Sequence, residues 1–280
     1  MIPLANDIDG TPVALYLAIK PYLLALLITL PRIAAFLSAS QLLPASAAPR
    51  LARQGVTLVL AATACPVNLG VVDEIPDESL VLFAGLFLKE WVIGFMLGYA
   101  VAWIFWSIQS AGGLIDNQRG AAIAASIDPL QGHESTPLGN IFSQAFIAYF
   151  LASGGFLLVY GLLLRSYEVW SPVDLLPLPG IALAETSLEI LDLGMRIMFL
   201  VAGPVLVVMF IAEFALALVS RFAPQIQVFI LAMPIKSGIA IFMLVFYFDS
   251  MFRYMQGQIG LLDNYFDAFY AIFAGDRPLE

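Results

Sequence analysis

A chain of 280 residues that is 61% hydrophobic, 12% charged and has a mean hydropathy of +0.92 falls outside the soluble range, which is about half apolar and about a quarter charged, and inside the membrane class. A net charge of -9 and a pI near 4.5 argue against a nucleic-acid partner, which would need a basic face. The single cysteine, Cys65, cannot form an intrachain disulfide and reads as a small buried hydrophobe.

The N-terminal MIPLANDIDG has no basic region, so no cleaved signal peptide is expected. Val13 to Leu43 is the first apolar block; Lys20, Pro21, Pro31 and Arg32 interrupt it, which predicts a kinked helix or a helical hairpin. A short turn with Arg50 and Arg53 leads to the uncharged stretch Gly55 to Val72, whose rise of about 27 Å as a helix nearly crosses a bilayer core. The acidic loop Asp73 to Ser79 follows.

Leu80 to Ile108 carries Lys89 and Glu90 in its middle, three tryptophans, and Gly94 and Gly98 in a GxxxG spacing that allows close approach by a neighbouring helix, although any glycine-bearing apolar helix can show it. Lys89 and Glu90 are adjacent, so they are expected to point different ways and to need separate partners. Gln109 to Pro137 is the longest polar and small-residue interruption. It holds Gly112, Gly113, Gly120 and Gly132, Asp116 and Asp128, Arg119 and the only histidine, His133. Its middle, Ala121 to Ile127, is small and apolar. Glycine permits turns and close approach, and Pro129 discourages helix at Asp128. The segment is therefore either an ordinary connecting loop or a glycine-hinged piece that tucks into a cavity.

Leu138 to Leu164 reads as the cleanest span. Arg165 to Arg196 reads as a loop with a short helix near Ala184 to Leu193, and Ile197 to Val219 as a span containing Pro204 and Glu213. The apolar run between Pro224 and Pro234 covers only about 14 Å as a helix and suggests a re-entrant or broken piece. Ser237 to Met255 is a last span, with Asp249 and Arg253 spaced for an ion pair, and an amphipathic then acidic tail follows. The expectation is an all-α, membrane-type fold of about six hydrophobic helical segments, kinked and broken in places, in one domain over residues 1–280. Lys and Arg fall on alternate connections, which places both termini outside the cytoplasm.

Chemistry is hard to find. One histidine leaves no HExxH site, and no GxxxxGK[ST] or GxSxG stretch occurs. No enzyme activity, cofactor or metal is expected. The charges inside apolar blocks are the candidates that remain, because a charge in hydrocarbon costs roughly 3 kcal/mol or more. Lys89, Glu90, Glu213, Arg221 and Lys236 are the candidate buried polar contacts. Glu213 and the 221–236 piece also allow a small secondary transporter with a midplane site, although no internal inverted repeat supports it.

Three runs carry a resemblance: KEWVIGFMLGYAVAWIFWSIQSAGGLIDNQRG, SIDPLQGHESTPLG and RFAPQIQVFILAMPIKSG. In this order and spacing they resemble the SctT family, the export-apparatus protein of type III secretion injectisomes, related to flagellar FliR. The resemblance covers nearly the whole chain, and the DNQRG…DP…G…S spacing is of the injectisome branch. It implies a non-catalytic subunit in the bacterial inner membrane. The implied partners are SctR-like and SctS-like subunits, with SctU-like and SctV-like components, membrane lipid, and effector proteins in transit. It implies helical hairpins that pack against sister subunits and are lifted out of the membrane plane. It also implies a loop, here 109–135, that helps plug the closed pore, with Gly112, Gly113, Asp116, Arg119, Gly120, Ile123, Ile127, Asp128 and Pro129 as candidates. The AAIAAS centre has less bulk than the aromatic-bearing loop of flagellar relatives. Energy for export comes from other parts of such a machine.

Overall fold

Long stretches of Leu, Ala, Ile and Phe with few polar interruptions leave the backbone one way to satisfy its own hydrogen bonds away from water, which is the α-helix. A computed structural model describes residues 12–44, 48–72, 80–120, 136–174, 181–223 and 228–274. Among these residues it holds no strand and seven helices: α1 (Pro12–Ala39), α2 (Arg50–Asn68), α3 (Leu80–Gln118), α4 (Pro137–Ala152), α5 (Gly155–Val169), α6 (Ile181–Phe222) and α7 (Val228–Ala274). The all-α, membrane-type expectation holds. Four helices are long and apolar enough to cross a membrane, or five spans if α4 and α5 count as one.

Several boundaries differ from the sequence reading. α1 is one helix through Pro21 and Pro31, not a hairpin; apolar helices tolerate proline where neighbouring groups satisfy the freed carbonyls. α2 is not among the spans: its first turns carry Arg50, Arg53 and Gln54. The supposed cleanest span, 138–164, is broken. Ser153 and Gly154 separate α4 from α5 with a 74° bend, and Gly154 takes φ +81°, a left-handed conformation that glycine adopts without steric cost. In the region read as a loop with a short helix, 165–196, residues 165–169 belong to α5, 175–180 lie outside the described residues, and the helix expected near 184–193 is part of α6, which runs unbroken into the span containing Pro204. Pro234 sits inside α7, so the run read as a re-entrant piece is continuous with the last span from Val228 onward. The tail is helix as far as Ala274.

The chain forms two compact units. The first comprises Met1–Ala102, Leu157–Ala184 and Phe266–Glu280. Its glycines explain how α1 meets α3: a Cβ on Gly94 would lie 2.0 Å from the Arg32 carbonyl oxygen, and one on Gly98 would lie 2.5 Å from that of Phe36. The GxxxG spacing is therefore a helix-contact seam. Polar side chains lock the same unit, with Asn68 Nδ2 donating to Thr29 Oγ1 (2.8 Å) and the Tyr167 hydroxyl to the Thr29 carbonyl (3.0 Å). Cys65 is buried with Ala25 and Val72, and burial pushes its thiol up from the ordinary range.

The second unit comprises Trp103–Phe156 and Glu185–Tyr265. Phe105, Phe146 and Phe150 pack edge to face or tilted at its centre, with Phe142 against Phe248 and Tyr149 against Phe252. Its outer helix faces remain apolar. Phe210, Ile211 and Phe214 of α6 and Phe242, Val245 and Phe246 of α7 are all more than half exposed. Side chains of that kind need lipid or another subunit over them.

Candidate functional site

α3 does not end where the glycines begin. Gly112, Gly113 and Asp116, expected in a loop, lie within the helix, which runs on to Gln118. The reason is packing: a Cβ on Gly112 would stand 2.6 Å from both the Cα and the N of Gly139, so the two backbones touch. Gly113 faces Thr136 with room to spare. The helix stops at Gly120, whose φ of +86° and N–H to Asn117 carbonyl bond (3.1 Å) end it in the left-handed conformation.

Asp116 holds the two chain ends that flank 121–135. Its side chain is almost fully buried, and Oδ1 accepts from Arg119 at 2.6 Å (Nη2) and 2.8 Å (Nε). Oδ2 accepts the backbone N–H of Leu138 at 2.8 Å. Thr136, which precedes α4, makes no capping bond with its own side chain, so Asp116 supplies the cap from another helix and sets its charge at the positive end of α4. The departing chain, the returning chain and the Gly112–Gly139 contact thus form one collar. Ile123, Ile127, Asp128 and Pro129, the other candidates for the plug, lie outside the described residues.

Beside the C-terminal turn of α3, Glu213 Oε2 accepts from Gln118 Nε2 (3.1 Å) and pairs with Lys236 Nζ (3.2 Å). Lys236 is buried, but the Glu213 side chain is 49% exposed and Arg221 is exposed. Two of the expected buried polar contacts are therefore not buried in this chain. Of the features behind the transporter reading, Glu213 is half open and Pro234 lies inside α7, while Pro224 lies outside the described residues. Asp249 and Arg253 do pair, at 2.9 Å, with both side chains largely exposed.

Lys89 and Glu90 form a second polar site, in the first unit. They were expected to diverge, yet Nζ and Oε1 meet at 3.0 Å, because both long side chains turn toward the same centre. Each also has partners of its own. Arg32 grips both oxygens of Glu90, at 2.7 and 2.9 Å, donates to Ser166 Oγ and the Trp170 carbonyl, and lies over the Tyr167 ring. Lys89 donates to the carbonyls of Ser171, Pro172 and Asp174 at 2.7–2.9 Å. Sequence reasoning noted Arg32 only as an interruption. The available signal was that a lone arginine in one apolar block and a lone carboxylate in another need each other.

The sequence profile described as bacterial export proteins, family 1, matches residues 23–262. The chain belongs to that family. Among its relatives, Yop proteins translocation protein T of Yersinia pestis is 34% identical over 246 residues, 88% of this chain and 90% of the relative. Surface presentation of antigens protein SpaR of Salmonella typhimurium is 33% identical over 191 residues, 66% and 70% of the two chains. Flagellar biosynthetic protein FliR of Bacillus subtilis is 28% identical over 246 residues, 85% and 91%. The resemblance to the SctT and FliR family is thereby shown. The chain is an export-apparatus subunit, and its apolar helices make it a multi-pass protein of the bacterial inner membrane.

Proposed function

We propose that this family member is the T-type subunit of a type III secretion export gate, which helps form the inner-membrane pore for unfolded effector proteins and helps seal it when closed. The observation that supports this reading most directly is the Asp116 collar. A buried carboxylate fastens the chain where it leaves α3 and where it enters α4. Ends held in this way fix where the intervening segment leaves and rejoins the helices that carry it. The small apolar Ala121 to Ile127 stretch suits a dry constriction. The exposed phenylalanines of α6 and α7 suit contact with SctR-like and SctS-like neighbours, with SctU-like and SctV-like components further along the same machine. All of residues 1–280 serve this one role, and the chain makes and breaks no bonds of its own.

Deletion of Gly120 to Ser126 tests the seal. Assembly into the complex should be retained while leakage of small solutes through the closed gate rises. Unchanged leakage in a correctly assembled complex would count against sealing. Isolation of the chain as a stable monomer, with R-like and S-like proteins present but unbound, would count against the gate itself.

A further inference from the structure

Between α1 and α2, within the first unit, lies a cavity of about 510 Å3, inside the range of roughly 300–1,000 Å3 typical of small-molecule sites. Its walls are mainly apolar, with Leu30, Ala34 and Leu37 from α1 and Leu58 from α2, beside Ser38, Gln54 and Thr57. Its cations gather at one place, the start of α2, where Arg50 and Arg53 both line it. Among the described residues no carboxylate lines the cavity and neither arginine has an ion-pair partner. Arg53 Nε is shut off from solvent with no hydrogen-bond partner. Such an orphaned donor is rare in native proteins.

Two further features point the same way. α2 begins after Pro49 with no side chain capping its free N–H groups and no acid in its first turn, so the positive end of the helix adds to the two arginines. α2 is also not one of the membrane spans. Arginines at one end and exposed Leu51, Leu58 and Val59 along its length are the composition of a helix lying at the bilayer–water boundary. A slot that is apolar inside and doubly cationic at its rim matches one chemistry in that boundary. A free phosphate would leave the apolar walls uncovered, and a purely apolar chain would leave the arginines unpaired.

We propose that this cavity holds an acyl chain of an anionic phospholipid, whose phosphate oxygens sit on Arg50 and Arg53. The planar guanidinium fork takes two phosphate oxygens side by side. The lipid fills the gap between the two helices and becomes part of the unit's packing.

The full chain, in the complex in which it isolates, is taken into mild detergent and offered phosphatidylglycerol, phosphatidylcholine or inorganic phosphate, and bound lipid is read by native mass spectrometry. Phosphatidylglycerol should be retained about tenfold or more over phosphatidylcholine, and the doubly substituted Arg50→Gln, Arg53→Gln protein should lose that preference. Ala34→Trp, which fills the slot and leaves both arginines in place, should lower retention of either lipid. If that variant fails to fold, the arginine variants decide alone, because Arg50 is exposed and Arg53 is only half buried. Equal retention of the two lipids, retention unchanged in the arginine double variant, or displacement of lipid by inorganic phosphate would overturn the proposal. So would a photocrosslinker at position 37 that captures polypeptide in place of lipid.

Discussion

Glu90 and Asp116 are both carboxylates on α3 and both are buried to within 1% of complete, yet they answer to different kinds of partner. Glu90 is held by Arg32, and the ring of donors and acceptors around the pair closes on itself through Ser166, Trp170, Tyr167 and Lys89. It fastens helix to helix. Asp116 is held by Arg119, one turn on, and by the first turn of α4, so it fastens the two chain ends that flank 121–135. Burial and charge alone would rank the two equally. What separates them is whether the partners lie on other helices of the framework or at the two ends that flank residues 121–135, the segment proposed above to seal the gate.

Breaking the framework should hurt most. Glu90→Ala leaves two buried cations without their counter-charge and should cost roughly 3–5 kcal/mol, seen as loss of protein from the membrane and a lower unfolding temperature in detergent. Replacing Arg32 and Glu90 together with apolar residues should recover part of that loss, and a Glu90→Ala protein of unchanged stability would erase the contrast. Next comes the backbone contact beneath the collar. Gly112→Ala drives a methyl into Gly139 at 2.6 Å, an overpacking worth about 1–3 kcal/mol, whereas Gly113→Ala meets only Thr136 Cγ2 at 3.5 Å and should be neutral or slightly stabilising. Equal damage from both would mean that the close approach is not what places these glycines.

The loop fastening should then show a smaller stability effect and a larger functional one. Asp116→Asn keeps an acceptor for the Leu138 N–H but loses the charge that holds Arg119. A cost of about 1–2 kcal/mol is expected, with assembly preserved and closed-state leakage raised. Normal tightness in an assembled Asp116→Asn complex would remove the distinction between the two carboxylates. Smallest of all is Glu213→Gln. A half-exposed pair contributes at most about 1 kcal/mol, and export should stay within about twofold of the parent protein. A collapse of solute uptake by the lone chain on this change would instead revive a transporter.

The class of the fold and the family were legible because both rest on signals that survive without three-dimensional context: sustained apolarity and three characteristic runs. Helix ends were not, and for one recurring reason. Pro21, Pro31 and Pro234 read as breaks, yet all lie inside helices, because the rule that proline ends a helix is calibrated on water-exposed segments. Gly112 and Gly113 read as loop because their packing partners, Gly139 and Thr136, are distant in sequence. The real break at Ser153–Gly154 was written in the sequence as SGG, but the apolarity on either side outweighed it. The charged candidates were half visible: Lys89 and Glu90 stood out, and Arg32, the residue that joins them to two other helices, was hidden by its position beside a proline.

The collar also sets what the chain can absorb as it changes. Once Asp116 and Gly139 pin the flanks, residues added between 120 and 136 lengthen a closed circuit, and doubling such a circuit costs only about 0.6 kcal/mol of closure entropy. On the proposed sealing role, residues between 120 and 136 could therefore be rewritten, tagged or extended while α3 and α4 keep their register, so that tightness would be tuned separately from the helices that carry it.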